Sequence, residues 1–252
     1  IVINHHYVKL NETAAALALQ AGLDLECGDN IFIEPLRRAH ELHLVSDADI
    51  DRAARRILTS RMRLGIFDNP SYNPYNALEP SIIGSDAHRN WALQAARESI
   101  VLLKNDRNLL PLKPGRVRSL AVVGLNAATC EFGDYSGTPM TKPVSILDGI
   151  RSMAGGEIGV KHVPWDSPVE EALEAARKSQ VVIAVMGINK DTEREGKDRE
   201  SLDLPALQRE YLQKLYRANP NLVLVLVAGS PLSIVWEDKT IASIINAWYP
   251  GQ

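Results

Sequence analysis

Apolar positions in the later two thirds of the chain fall in short blocks of strand length. Val181–Met186 is the clearest, a charge-free and largely β-branched run. Leu120–Val123, Gly159–His162, Leu222–Ala228 and Ile241–Ala247 read as further strands. Between them, Ile146–Ser152, Ser167–Lys178, Leu204–Ala218 and Ser230–Val235 have the make-up of helices. This alternation predicts an α/β domain built on a mostly parallel sheet with helices on both faces. Just ahead of it, Asp86–Lys104 is expected to be helical, and the Asn- and Pro-containing stretch Asn105–Gly115 leads into the first strand.

The first third has a different rhythm. Asn11–Gln20 is Ala-rich and helical in pattern, Gly22 can close it, and Leu23–Cys27 follows as a short strand. Pro35–His43 and Ser46–Leu64 read as two more helices. Ser46 or Asp47 serves as N-cap of the second, and Ile50, Ala53, Ala54, Ile57 and Leu58 form its buried stripe. A helix, a strand and two helices leave apolar faces and strand edges uncovered, so this segment does not close a domain by itself. Residues 68–85 carry Pro70, Pro74 and Pro80 among Asn, Ser and Tyr, a linker composition. The expected organisation is therefore 1–67, a linker at 68–85, and the α/β domain at 86–252.

Composition narrows the function classes. With 45% hydrophobic residues the chain can pack a core, and a formal net charge of −3 without a Lys/Arg block gives no electrostatic footprint for nucleic acid or anionic membrane. No apolar run approaches the length of a membrane span. Cys27 and Cys130 lack CxxC spacing, and each reads as a small buried hydrophobe. His5 and His6 are adjacent, so on an extended chain they face opposite ways and no metal pair is expected. VVGLNA at Val122–Ala127 has one Gly where a dinucleotide fingerprint has three, and GxxxxGK[ST] does not occur. No cofactor and no metal are expected.

The candidate chemistry lies after Val181–Met186, beyond the carboxyl end of a buried strand, where α/β folds place ligands. Glu193, Glu195 and Asp198 alternate there with Arg194, Lys197 and Arg199. From the residues alone this is either a solvated mixed-charge loop or a carboxyl group tuned for proton transfer, since burial raises a carboxyl pKa and a neighbouring Arg or Lys lowers it.

EGKDRESLDLP at Glu195–Pro205 resembles the acid/base loop of family 3 glycoside hydrolases, approximately Glu-Gly-x-Asp-Arg-x-x-Leu-x-Leu-Pro. Other stretches resemble that family in the expected order: AGLDLECG (Ala21–Gly28), RMRLGIFD (Arg61–Asp68), AARESIVLLKN (Ala95–Asn105), LLPL (Leu109–Leu112), VVGLNA, GDYSG (Gly133–Gly137) and NAWYPGQ (Asn246–Gln252). The resemblance implies the end of a (β/α)8 barrel followed by an α/β sandwich domain. The chain is then expected to begin inside the barrel, with most of it upstream of Ile1, and the sheet to continue past Gln252.

The resemblance also implies roles. Glu195, directly before Gly196, matches the general acid/base, with Glu193 as the alternative. Asp198 and Arg199 match the Asp-Arg pair, expected to form an ion pair that positions the loop. Asp24 and Glu26 fall at the carboxyl end of the expected strand, where barrels place functional side chains; they either bind substrate or hold neighbouring loops. Apart from the resemblance, Tyr135, Trp165, Trp236, Trp248 and Tyr249 could stack on sugar rings or serve as core or interface aromatics. Trp248 and Tyr249, followed by Pro250-Gly251, end an expected strand in a loop and are the better candidates, and Tyr135 and Trp248 are taken as substrate-binding. Cys27 would pair with a cysteine near the nucleophile, outside these residues. The nucleophile is an Asp in a Ser-Asp context, and neither Ser46-Asp47 nor Ser85-Asp86 has that setting, so it too is expected upstream and the fragment alone inactive.

The reading is a retaining exo-acting β-glycosidase, closer to β-xylosidases than to β-glucosidases. Its expected partners are a β-linked oligosaccharide or glycoside and the remaining barrel segment, with a homo-oligomer allowed; a periplasmic or secreted setting is preferred. Two alternatives stand beside it: a β-N-acetylglucosaminidase or phosphorylase of the same family, and a non-catalytic carbohydrate-binding or assembly subunit.

Overall fold

The computed structural model describes residues 2–3, 5–28, 32–113, 115–137, 139 and 141–249. They divide into two compact units, Ile1–Glu79 and Pro80–Gln252.

The first unit holds three helices, α1 (Asn11–Gln20), α2 (Glu34–Glu41) and α3 (Asp47–Arg63). Gly22, at φ +101°, turns the chain after α1. Ser46 and Asp49 close a reciprocal capping box at the start of α3. Small side chains let the helices approach, and the core is Ala16, Leu19, Ala39, Val45 and Ala53 with Phe32, Leu36 and Ile50 against it. The expected α3 stripe is buried only in part, since Ala54 and Leu58 are exposed. Leu23–Cys27 is not a strand. A strand is made by its ladder bonds, and no partner for this segment exists among the described residues. Pro70, Pro74 and Pro80 each open a short 3-10 turn, with Asn69 and Asn73 capping the first two.

In the second unit the sheet strands are β1 (Val101–Asn105), β2 (Ser119–Val123), β3 (Gly159–Val163), β4 (Val181–Gly187), β5 (Leu222–Val227) and β6 (Ser243–Asn246). Their spatial order is β1-β6-β5-β4-β2-β3, and every pairing is parallel except β1 with β6. The helices are α4 (Asp86–Ser99), α5 (Ile146–Ala154), α6 (Val169–Lys178), α7 (Ala206–Ala218) and α8 (Val235–Thr240). Successive strand residues point to opposite faces, which sorts the core into two layers. Val182, Ala184, Met186, Leu222, Leu224 and Leu226 pack with α6 and α7 on one face. Val181, Ile183, Val185, Val223, Val225 and Val227 pack with Leu147 of α5 on the other.

Two expected elements differ. The helix expected through Lys104 ends at Ser99, and Val101–Asn105 pairs antiparallel with β6 instead. An apolar run such as IVLL suits either state, and the open edge of β6 decides for strand. The helix expected at Ser230–Val235 begins at Val235, because Gly229, Ser230 and Pro231 form a loop. Trp165 and Trp236 are core aromatics, packed on Tyr211 and Tyr216 with ring centroids 4.9 Å and 6.2 Å apart.

Candidate functional site

From β2 the chain crosses to β3 on one side, then returns past β2 to β4 on the other. The loops after β2 and β4 therefore diverge over the carboxyl edge of the sheet, the usual crevice of a doubly wound fold. A glycine that the backbone requires stands at each exit, Gly124 directly after β2 and Gly187 at the end of β4. A Cβ on Gly124 (φ +114°) would lie 2.1 Å from the Val185 carbonyl oxygen, and one on Gly187 (φ +147°) 1.8 Å from that of Val227. Buried Gln208 of α7 then fixes where the β4 loop starts: its amide oxygen accepts from Gly187 N–H (2.8 Å) and its amide nitrogen donates to Gly187 C=O (2.6 Å).

Within that loop Arg194 and Lys197 pair as a two-residue hairpin, with N–H to O distances of 3.2 and 2.9 Å. Gly196 supplies the positive φ (+73°) that such a turn needs at its second central position. Glu195 is the other central residue, so it stands exposed at the hairpin tip, and no ion pair holds it among the described residues.

The feet of the hairpin are tied down. Arg199 donates from Nε to Glu193 Oε2 (2.6 Å) and from Nη2 to Ser230 Oγ (2.8 Å) and the Pro231 carbonyl (2.9 Å). The Ser230 hydroxyl donates in turn to Glu193 Oε2 (2.6 Å). The Arg199 side chain is only 9% exposed, and its buried Nη1 has no partner among the described residues. The expected Asp198–Arg199 pair does not form; Arg199 takes Glu193 instead. Asp198 stays exposed, whereas the Arg199 guanidinium is drawn inward by Glu193, Ser230 and the Pro231 carbonyl.

A cleft of about 540 Å³ opens beside this clasp, lined among others by Gly133, Asp134, Glu193, Asp198, Arg199 and Tyr249. It joins GDYSG, the hairpin loop, Gly229–Ser230 and the start of WYPGQ, segments far apart in sequence. Burial pushes the Tyr249 phenol above its ordinary pKa. Its ring lies flush on Gly229, where a Cβ would come within 2.5 Å of Tyr249 Cε2.

The other candidates disperse. Tyr135 is 82% exposed and Trp248 44% exposed, and neither lines the cleft. Trp248 Nε1 donates to the Ser99 carbonyl at 2.9 Å, tying the end of α4 to the segment after β6. Pro250 and Gly251, expected to carry the loop after Tyr249, lie outside the described residues. In the first unit Asp24 pairs with Arg56 (3.0 Å) and Glu26 accepts from Phe32 N–H (3.0 Å), so both hold neighbouring backbone or helix. Cys27 is exposed and Cys130 half-buried, neither the buried hydrophobe expected; burial raises the Cys130 thiol pKa. Among the described residues no group of His, Cys, Asp and Glu could hold a metal ion, and no helix is long and apolar enough to cross a membrane.

A family model described as the glycosyl hydrolase family 3 C-terminal domain matches residues 100–252, which contain every residue lining the cleft. The chain belongs to glycoside hydrolase family 3. A probable beta-D-xylosidase of Arabidopsis thaliana is 38% identical to it over 258 residues, covering 98% of this chain and 33% of that protein. A periplasmic beta-glucosidase of Salmonella typhimurium is 30% identical, covering 99% and 37%. Among solved family 3 structures, an exo-beta-xylosidase bound to a xylobiose aziridine probe superposes with a TM-score of 0.84 at 30% identity, covering 99% of this chain and 33% of that one. The chain spans about a third of the length of the curated relatives it matches.

Proposed function

We propose that this chain supplies the proton-donor side of a retaining, exo-acting β-glycosidase that releases xylose or glucose from non-reducing ends, with the nucleophilic Asp outside these residues. In such a reaction the acid protonates the leaving oxygen as a carboxylate attacks the anomeric carbon. The resulting carboxylate then takes a proton from the water that cleaves the glycosyl ester. The observation that carries the assignment is the unequal treatment of the two candidate glutamates. Glu193 Oε2 is held in place by Arg199 and Ser230, whereas Glu195 stands exposed at the hairpin tip with no ion pair among the described residues. Glu195 is therefore the acid/base and Glu193 the anchor.

Its place on the wall of the cleft favours Glu193 as a second assignment. The two separate in a polypeptide that carries these residues together with the remainder of the family's length. There, Glu195→Gln should lower turnover of an unactivated glycoside by about 100-fold or more, and added azide should restore turnover of an activated aryl glycoside by forming glycosyl azide. The same rescue seen with Glu193→Gln and not with Glu195→Gln would reverse the roles. Comparing aryl β-xyloside with aryl β-glucoside in the same assays tests the xylosidase preference, which the GDYSG and LECG stretches support. The substrate partner is a β-linked glycoside, and the remaining barrel segment is the protein partner. A periplasmic or secreted setting accords with the named Salmonella relative.

A further inference from the structure

We infer that Ser230 is a positioning residue for the acid/base, acting through a clasp with Glu193 and Arg199 that fixes both feet of the Glu195 hairpin. The inference rests on the reading of Glu195 given above. Glu193 directly precedes Arg194 and Arg199 lies two residues after Lys197, so the hairpin leaves the body of the protein between these two side chains. Ser230 comes from a different loop, the one after β5, and closes the ring. Its hydroxyl accepts from Arg199 Nη2 and donates its single proton to Glu193 Oε2, so the group is used in both directions. Arg199 Nη2 also donates to the Pro231 carbonyl, which ties the same loop a second time.

Two features show that geometry is being held here against an opposing cost. Arg199 Nη1 is buried without a partner among the described residues, a cost the fold accepts to keep the other guanidinium nitrogens where they are. The ring of Tyr249 sits so close over Gly229 that no side chain fits there, which fixes the backbone leading into Ser230. A proton donor has to be held to within about 0.5 Å of its productive position. Glu195 makes no ion pair of its own among the described residues, so its position depends on the feet of the hairpin.

The test uses the longer polypeptide with two glycosides of the same sugar. One carries a dinitrophenyl leaving group, which departs without protonation; the other is a disaccharide, which requires the acid. Ser230→Ala should lower kcat/KM for the disaccharide by about tenfold or more while the dinitrophenyl glycoside stays within about twofold, since only the acid-dependent step feels a misplaced donor. Ser230→Thr, which keeps the hydroxyl, should recover most of the loss. Arg199→Lys keeps the charge and loses the forked contact, and should show the same split between substrates. An equal fall on both substrates, or no fall on either, overturns the positioning role. Wild-type protein that cleaves neither substrate overturns the glycosidase reading itself, and the positioning role with it.

Discussion

Glu237 of α8 is 2% exposed, and its Oε1 has no partner among the described residues. Burial raises its pKa, with Arg209 opposing the shift and Asp203 adding to it. The folded state thus holds this proton more tightly than the unfolded chain does. The penalty is absent below the unfolded value of about 4.3, grows as pH rises toward the folded value, and is complete above it. Glu237→Met should therefore stabilise the protein at neutral pH by about 1–3 kcal/mol and have little effect near pH 4, as read by urea denaturation at the two pH values. Equal effects at both would mean that packing, not ionisation, governs the site. Ser230 illustrates why some residues escape a reading of the sequence. A serine between Gly229 and Pro231 carries no pattern of its own, and it acquires one only when folding brings it to Arg199 and Glu193, 31 and 37 positions earlier. The Glu195–Gly196 step stood out only through its match to the family stretch; the two-residue turn it occupies emerges with the fold.

Among the secondary-structure elements, those whose identity is settled by their own residues were legible. β4 and β5 are buried on both faces, so their sequences are continuous apolar runs that few other states would suit. β1 was not legible, since its partner β6 lies about 140 residues away and decides between helix and strand. The union of β4 and α7 at Gly187 is another long-range decision, and it is testable. Gln208→Leu would leave both backbone groups of Gly187 buried without partners. At about 1–3 kcal/mol for each, the expected loss is about 2–6 kcal/mol in denaturation experiments. The same substitution frees the start of the loop that carries the hairpin, so activity of the longer polypeptide should fall as well.

For the molecule as a whole, the two units have very unequal cores. The first relies on Ala16, Leu19, Ala39, Val45 and Ala53, while Met62 and Phe67 remain 65% and 56% exposed. The second buries apolar layers on both faces of a six-stranded sheet. With burial worth about 25 cal/mol per Å² of apolar surface, the first unit has far less to oppose unfolding. Hydrogen exchange on this 252-residue chain should find amides of α1, α2 and α3 exchanging through local opening, and those of β4 and β5 only through global unfolding. Comparable protection in both units would contradict the unequal cores.

The hairpin between Glu193 and Arg199 is closed at its base by side chains and across its middle by the Arg194 and Lys197 backbones. Residues added in pairs beyond that base would lengthen the two strands without disturbing the mount, and each pair would carry the tip outward by about 3.3 Å. The span between scaffold and the Glu195 carboxyl is thereby uncoupled from the stability of the domain. Such a loop can telescope to reach surfaces of different depth while the sheet beneath it keeps its packing.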